Sequence, residues 1–177
     1  MSLDKLRKDI IAELKKGLPF LIASILIWLL IAIVNSLGLQ NNLNNILVFA
    51  CSMPMLPIAW IIGKRWGFDI FKSENPLSKL GFLFTMNQVL YLLIVMWVFN
   101  AVPEKMTMVY AMVYGAHLLP YSWLYMSFGY KIFAVIIPII SLILGNLTNT
   151  FVLSIGMCVI QIIFVIVVFR EYKQINS

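Results

Sequence analysis

Apolar residues fall in six long runs separated by short polar breaks: 18–37, 46–62, 80–100, 106–125, 132–145 and 151–169. A helix needs about 20 mostly apolar residues to cross the hydrocarbon core of a bilayer, with a range of roughly 17 to 25. Five runs reach that length. The run 132–145 is short, and would reach it by extending through a snorkelling Lys131 or by tilting among its neighbours. Backbone in lipid must satisfy its own hydrogen bonds, so the runs predict helices. The strict alternation of a barrel strand is absent. Ahead of the first run, Leu3, Leu6, Ile10 and Leu14 share one helical face and basic residues cover much of the rest. The pattern predicts an all-α membrane protein. It has an amphipathic leader at 1–17, a six-helix transmembrane bundle at 18–169 and a tail at 170–177.

The breaks have turn chemistry. Gly38-Leu39-Gln40-Asn41-Asn42 is a polar turn after the first run, and Asn146-Leu147-Thr148-Asn149-Thr150 is another before the sixth. Pro103 disfavours helix at Val102, between the third and fourth runs. The longest loop is 63–79.

Composition supports lipid as the solvent. Hydrophobic residues make up 62% of the chain and charged residues 11%, against about half and a quarter in a soluble domain. The net charge of +6 does not point to nucleic acid, because the basic residues flank the apolar runs and form no stripe. Their distribution is the sharper signal. Lys5, Arg7, Lys8, Lys15 and Lys16 lie in the leader, and Lys64, Arg65, Lys72 and Lys79 in the second loop. Lys131 lies in the fourth loop, and Arg170 and Lys173 in the tail. With six spans these twelve share one side, and Lys105 stands alone on the other. The excess of Lys and Arg on cytoplasmic loops then places both termini in the cytoplasm. Trp60 and Trp66 fall near the inner boundary and Trp97 near the outer one. The leader reads as a topology-setting flank or as a helix lying on the anionic inner surface.

All seven carboxylates lie outside the spans, and no Lys or Arg sits mid-span. Ionisable groups within a membrane usually mark proton or ion pathways, so a carboxylate-coupled relay is not expected. No zinc helix, phosphate loop or nucleophile elbow is present. One histidine with Cys51 and Cys158 in apolar runs makes no metal set, and no cofactor is expected. The candidate chemistry is in the fourth span. Thr107, Tyr110, Tyr114, His117, Tyr121 and Tyr125 fall within roughly an 80° arc of one helix face. That face either holds the bundle together by interhelical hydrogen bonds or lines a site for a small neutral or amphipathic molecule. Asn87 and Gln88 in the third span, with Tyr91 one turn on, are candidate lining partners. Ser24, Trp28 and Asn35 share a face of the first span, and Ser154, Cys158 and Gln161 share one of the sixth. His117 lacks a placed nucleophile or acid, so catalysis by it ranks behind binding. Pro54 and Pro57 in the second span and Pro138 in the fifth would interrupt the middle helices of two inverted halves, as at some transporter sites. Ala111 to Gly115 and Ser141 to Gly145 are spacings that permit close helix packing.

Glu74-Asn75-Pro76-Leu77, Met86-Asn87-Gln88-Val89-Leu90-Tyr91 and Gly115-Ala116-His117-Leu118-Leu119-Pro120-Tyr121 resemble an uncharacterised bacterial family of small multi-pass membrane proteins. So do Leu6-Arg7-Lys8-Asp9-Ile10 and Lys16-Gly17 in the leader. The resemblance implies a bacterial plasma-membrane location and brings no activity or catalytic residue. The expected partners are the bilayer, a small-molecule ligand at the fourth span, and a second copy or another membrane protein. The expected function is binding or translocation of the small molecule. An accessory membrane subunit is the alternative, and an embedded enzyme using His117 is third.

Overall fold

The computed structural model describes residues 2–176, with side chains through 174. The described residues form helices and turns, with no strand among them. The helices are α1 (Leu3–Leu14), α2 (Leu18–Ser36), α3 (Asn41–Ser52), α4 (Met55–Arg65) and α5 (Ser78–Ala101). They continue as α6 (Met106–Ala116), α7 (Leu118–Leu124), α8 (Phe128–Leu147) and α9 (Thr150–Asn176). Five stretches are long and apolar enough to cross a membrane: Leu3–Ser36, Asn41–Arg65, Ser78–Ala101, Phe128–Leu147 and Thr150–Gln174. The predicted fourth span forms a sixth, divided stretch, α6 and α7.

The short fifth run becomes a full helix. Ser127 caps α8 by accepting from Tyr130 N–H, which draws 128–131 into the first turn, and α8 runs on through Pro138. The interruptions lie in the second and fourth spans instead, which is not the expected pairing of the second with the fifth. Each break precedes a proline. α3 ends at Ser52, ahead of Pro54, and α6 ends at Ala116, ahead of Pro120. Proline offers no N–H to the carbonyl four residues back and its ring crowds that carbonyl. Pro57 and Pro120 are each the third residue of the helix that follows, where a missing N–H costs nothing. Asn41 and Asn42, expected in a turn, start α3.

α2 and α9 form the central pair. α8 packs on α9 and α6, α5 packs on α6 and α7, and α3 and α4 pack on α2. The core lies where α2, α6, α8 and α9 meet, around Trp28, Ile31, Met106, Ile137, Leu153 and Phe164. The α2 and α9 faces read from the sequence meet directly, through two hydrogen bonds. Ser24 of α2 donates to Gln161 of α9 at 3.0 Å, and Asn35 donates to Ser154 at 2.7 Å.

The end that carries both α1 and the end of α9 is the basic one. There α1 does not project. Lys15, Lys16 and Gly17 all take left-handed backbone, with φ of 48°, 53° and 69°, and this separates α1 from α2. Ile10 and Ile11 are buried in protein, so part of the leader's apolar face is covered by the bundle and not left for a lipid surface. Arg7 donates to Trp123 O and stacks on the Trp123 ring. Asn75 donates to Leu6 O at 2.7 Å, and Ser73 donates to Glu13 at 2.5 Å.

Lys16 is sealed, with 1% of its side chain exposed. Its ammonium meets Glu171 at 3.0 Å. Glu171 also accepts from Ser127 at 2.5 Å and from the Gly129 N–H at 2.7 Å, and Tyr130 donates to Lys16 O at 2.8 Å. One carboxylate thereby fastens the α1–α2 joint and the α7–α8 joint to the end of α9.

Candidate functional site

The candidate site lies on the fourth predicted span, which is divided in the structure. α6 stops at Ala116, His117 turns, and α7 begins at Leu118. The stripe faces inward as its spacing requires, and its hydroxyls are largely spent on protein. Tyr110 pairs with Ser52 at 2.6 Å, Tyr114 donates to Gln161 at 3.0 Å, and Tyr121 donates to Gly81 O at 3.1 Å while lying 2.8 Å from Thr85. Their rings continue one another, from Tyr110 through Trp28, Tyr114, His117 and Tyr121 to Tyr125 and Tyr130. Tyr110 and Tyr114 are buried in this column and act as packing between α2, α3, α6 and α9. Tyr121→Phe would remove both polar ties from α7 to α5. The expected loss is about 1 kcal/mol, read as a thermal midpoint a few degrees lower. An unchanged midpoint would mean that apolar contacts alone hold α5.

Ser24, Tyr114 and Gln161 make a polar centre among α2, α6 and α9. The Gln161 oxygen accepts from Tyr114 and lies 3.0 Å from Ser24 Oγ, whose single proton is shared with Leu21 O at 2.7 Å, while Gln161 Nε2 has no partner. Thr107 Oγ1 is likewise buried and unpartnered. These atoms mark where the interior holds unspent hydrogen-bonding capacity.

His117 has more of it. Its Nδ1 bonds Tyr114 O. A carbonyl only accepts, so the proton sits on Nδ1 and Nε2 is left as an acceptor. No hydrogen bond reaches Nε2 among the described residues. Tyr114 turns toward Trp28 of α2 and Tyr121 toward Thr85 of α5. His117 lies between these two directions in the ring column and is half-buried.

Gln88 stands at the same level. α5 and α7 are antiparallel and tied at Thr85 and Tyr121. Gln88 is three residues along α5 from Thr85, and His117 is four residues back from Tyr121. Both therefore lie one turn from that tie, in the same direction, at about 1.5 Å rise per residue. Gln88 also shares the face of α5 that carries Gly81, Thr85, Leu92 and Val95, which packs on the bundle. Asn87 is next to it. Both amides are half-buried and make no hydrogen bond among the described residues. The structure thus divides the six predicted lining residues. Tyr110, Tyr114 and Tyr121 are bonded within the fold, whereas Asn87, Gln88 and His117 keep free donors and acceptors near the break.

Two clefts lie elsewhere. One of about 370 Å³ opens at the end opposite the basic one, among Asn35, Asn44, Asn45, Lys105 and Asn149. The other, about 300 Å³, lies at the basic end among Lys15, Leu18, Trp66, Phe169 and Tyr172. No group of histidine, cysteine and carboxylate ligands for a metal occurs among the described residues. Sequence reasoning missed Asn75, Lys16 and Glu171, which the fold places at its main joints. Only the Asn-Pro pair at 75–76 carried a local signal, that of a turn. No curated protein and no solved structure matches the chain. A family model does match, over residues 3–171, and the chain belongs to that family of unknown function, DUF7010.

Proposed function

We propose that this is a six-span membrane protein with cytoplasmic termini that binds a small neutral or amphipathic molecule beside the break in its fourth span. The observation that carries the reading is the trio Asn87, Gln88 and His117. All three are half-buried at one level of the bundle with hydrogen-bonding capacity unspent. Polar groups at mid-depth in a bilayer are costly when unsatisfied, so a ligand that supplies the missing bonds is favoured there. His117 Nε2 accepts, the two amides donate and accept, and the His117, Tyr121 and Phe84 rings offer flat apolar faces. That chemistry suits a hydroxyl or amide on an apolar body, with no charge. Broken helices at sites of this kind accompany translocation in other membrane proteins, and movement of the ligand across the membrane is the further step of this reading.

Native mass spectrometry of the gently extracted full chain tests it. A reproducible small-molecule adduct is expected, retained about tenfold less by Gln88→Leu/His117→Leu and unchanged by Tyr110→Phe. An adduct indifferent to the double change would sink the site. A protein-sized addition that disappears with Asn87→Leu/Gln88→Leu would favour the second reading, in which the free amides of α5 pair with a helix of a partner subunit.

A further inference from the structure

We infer that the cleft at the basic end is a binding site for one anionic phospholipid of the inner leaflet. The inference rests on the membrane placement proposed above and not on the ligand beside His117. The cleft is walled by Leu18, Trp66, Phe169 and Tyr172 and has Lys15 at its rim. Its volume of about 300 Å³ is at the lower end of the range for ligand pockets, about 300–1,000 Å³. Its position is that of a headgroup boundary. Leu18 opens α2, Trp66 closes α4, and Phe169 ends the apolar part of α9.

Cations predominate around the cleft, and Glu171, the chain neighbour of Tyr172, is already paired with Lys16. Lys15 donates one hydrogen bond, to Trp66 O at 2.9 Å, and lies over the Trp66 and Phe68 rings at 5.4 and 4.9 Å. An ammonium has three donors, so two remain. Lys173 lies over the Phe169 ring at 4.8 Å. Arg65 and Arg170 are the chain neighbours of Trp66 and Phe169. None of these four cations is paired with a carboxylate among the described residues, where the ion pairs belong to Arg7, Lys16 and Lys64. An apolar slot with an unneutralised cationic rim complements an acyl chain that ends in a phosphate. A zwitterionic lipid would bring its own cation to that rim, and free phosphate would leave the slot empty.

The full chain in nanodiscs of phosphatidylcholine doped with phosphatidylglycerol, released into native mass spectrometry, reads the site directly. One phosphatidylglycerol should be retained well above its share of the mixture. Retention should fall about fivefold in Lys15→Gln, the worth of one charge near an anionic surface. It should fall further in Arg170→Gln/Lys173→Gln, whose side chains are exposed and leave the leader in place. Lys79→Gln and Lys131→Gln, basic residues of the same end outside the cleft, should change nothing. Equal retention of the two lipids would overturn the inference. So would an equal loss in Lys79→Gln/Lys131→Gln, which would mean diffuse surface charge, or displacement of the lipid by inorganic phosphate, which would mean that the slot is unused. Failure of the chain to enter nanodiscs would instead count against the membrane placement.

Discussion

Glu171→Ala should destabilise the protein by about 3 kcal/mol, and by more than Lys16→Met does. Removing one partner of a buried pair strands the other charge, at about 3–5 kcal/mol. A fifth of the Glu171 side chain stays exposed, which puts the cost at the lower end. The asymmetry follows from what each partner keeps. Lys16, 1% exposed, has no other carboxylate partner among the described residues. Glu171 deprived of Lys16 still has Ser127 and the Gly129 N–H. The double variant Lys16→Met/Glu171→Gln should recover part of the loss, because no charge is left unpaired. The pH dependence has a definite sign. Partial burial pushes the Glu171 carboxyl up, but the bonds from Ser127, Gly129 and Lys16 outweigh it and hold the group below its ordinary value of 4.5. A carboxylate with a depressed folded pKa stabilises above its unfolded pKa and loses that contribution as pH falls through the folded one. Unfolding of the detergent-solubilised protein should therefore become easier as pH drops below about 4.5, and less so in Glu171→Gln. Parallel pH profiles would show that the pair contributes nothing.

Gly115→Ala is the second large effect, also about 3 kcal/mol. A β-carbon there would lie 2.5 Å from Pro138 Cδ and 2.6 and 2.7 Å from Ile137 side-chain carbons. Neither neighbour gives easily. One is a ring inside α8, and the other is β-branched and fully buried. Overpacking of a close contact costs about 1–3 kcal/mol, and stiff neighbours place this one at the top of that range. Gly145→Ala is the comparison. A β-carbon there would lie 2.4 Å from Met108 Cγ and 2.6 Å from Met108 Cβ. Since Cβ is fixed to the backbone, no rotamer change relieves the contact, so a loss of similar size, about 3 kcal/mol, is expected. Thermal or denaturant unfolding of both variants side by side reads it, and a much smaller loss in Gly145→Ala would mean that α6 and α8 shift apart there.

The glycine spacing on the fourth span was legible because close helix packing needs small residues at fixed intervals, and Gly115 meets Pro138 in that way. The length and apolarity of the six stretches were legible for the same kind of reason, since the period and the solvent act on each residue locally. So were the faces of Ser24 and Gln161, though not that they meet each other. Breaks were harder. Pro54, Pro120 and Pro138 are alike as letters, yet the helix stops ahead of two and continues through the third, because tertiary packing decides between them. The leader shows the same limit. Its amphipathic pattern announced a helix with an apolar face but not what would cover it, and α1 turned to protein at a joint of left-handed residues that no propensity favours in lysine. The Lys16–Glu171 pair joins positions 155 residues apart, and nothing local in either flank marks it. Within the candidate site, the stripe was visible. The sorting of spent phenols from free Asn87, Gln88 and His117 was not, because it depends on where Ser52, Thr85 and Gln161 happen to reach.

Trp28 has an optical consequence. It is 1% exposed, whereas Trp60, Trp66, Trp97 and Trp123 keep between 37% and 67% of their surface open. Its ring stands 5.8 Å from that of Tyr110 and 6.1 Å from that of Tyr114, bridging α2 to α6. A chain whose four outer indoles are replaced by phenylalanine would emit from a single interior chromophore, shielded from aqueous quenchers. The molecule therefore contains a built-in gauge of how closely α2 and α6 stay together.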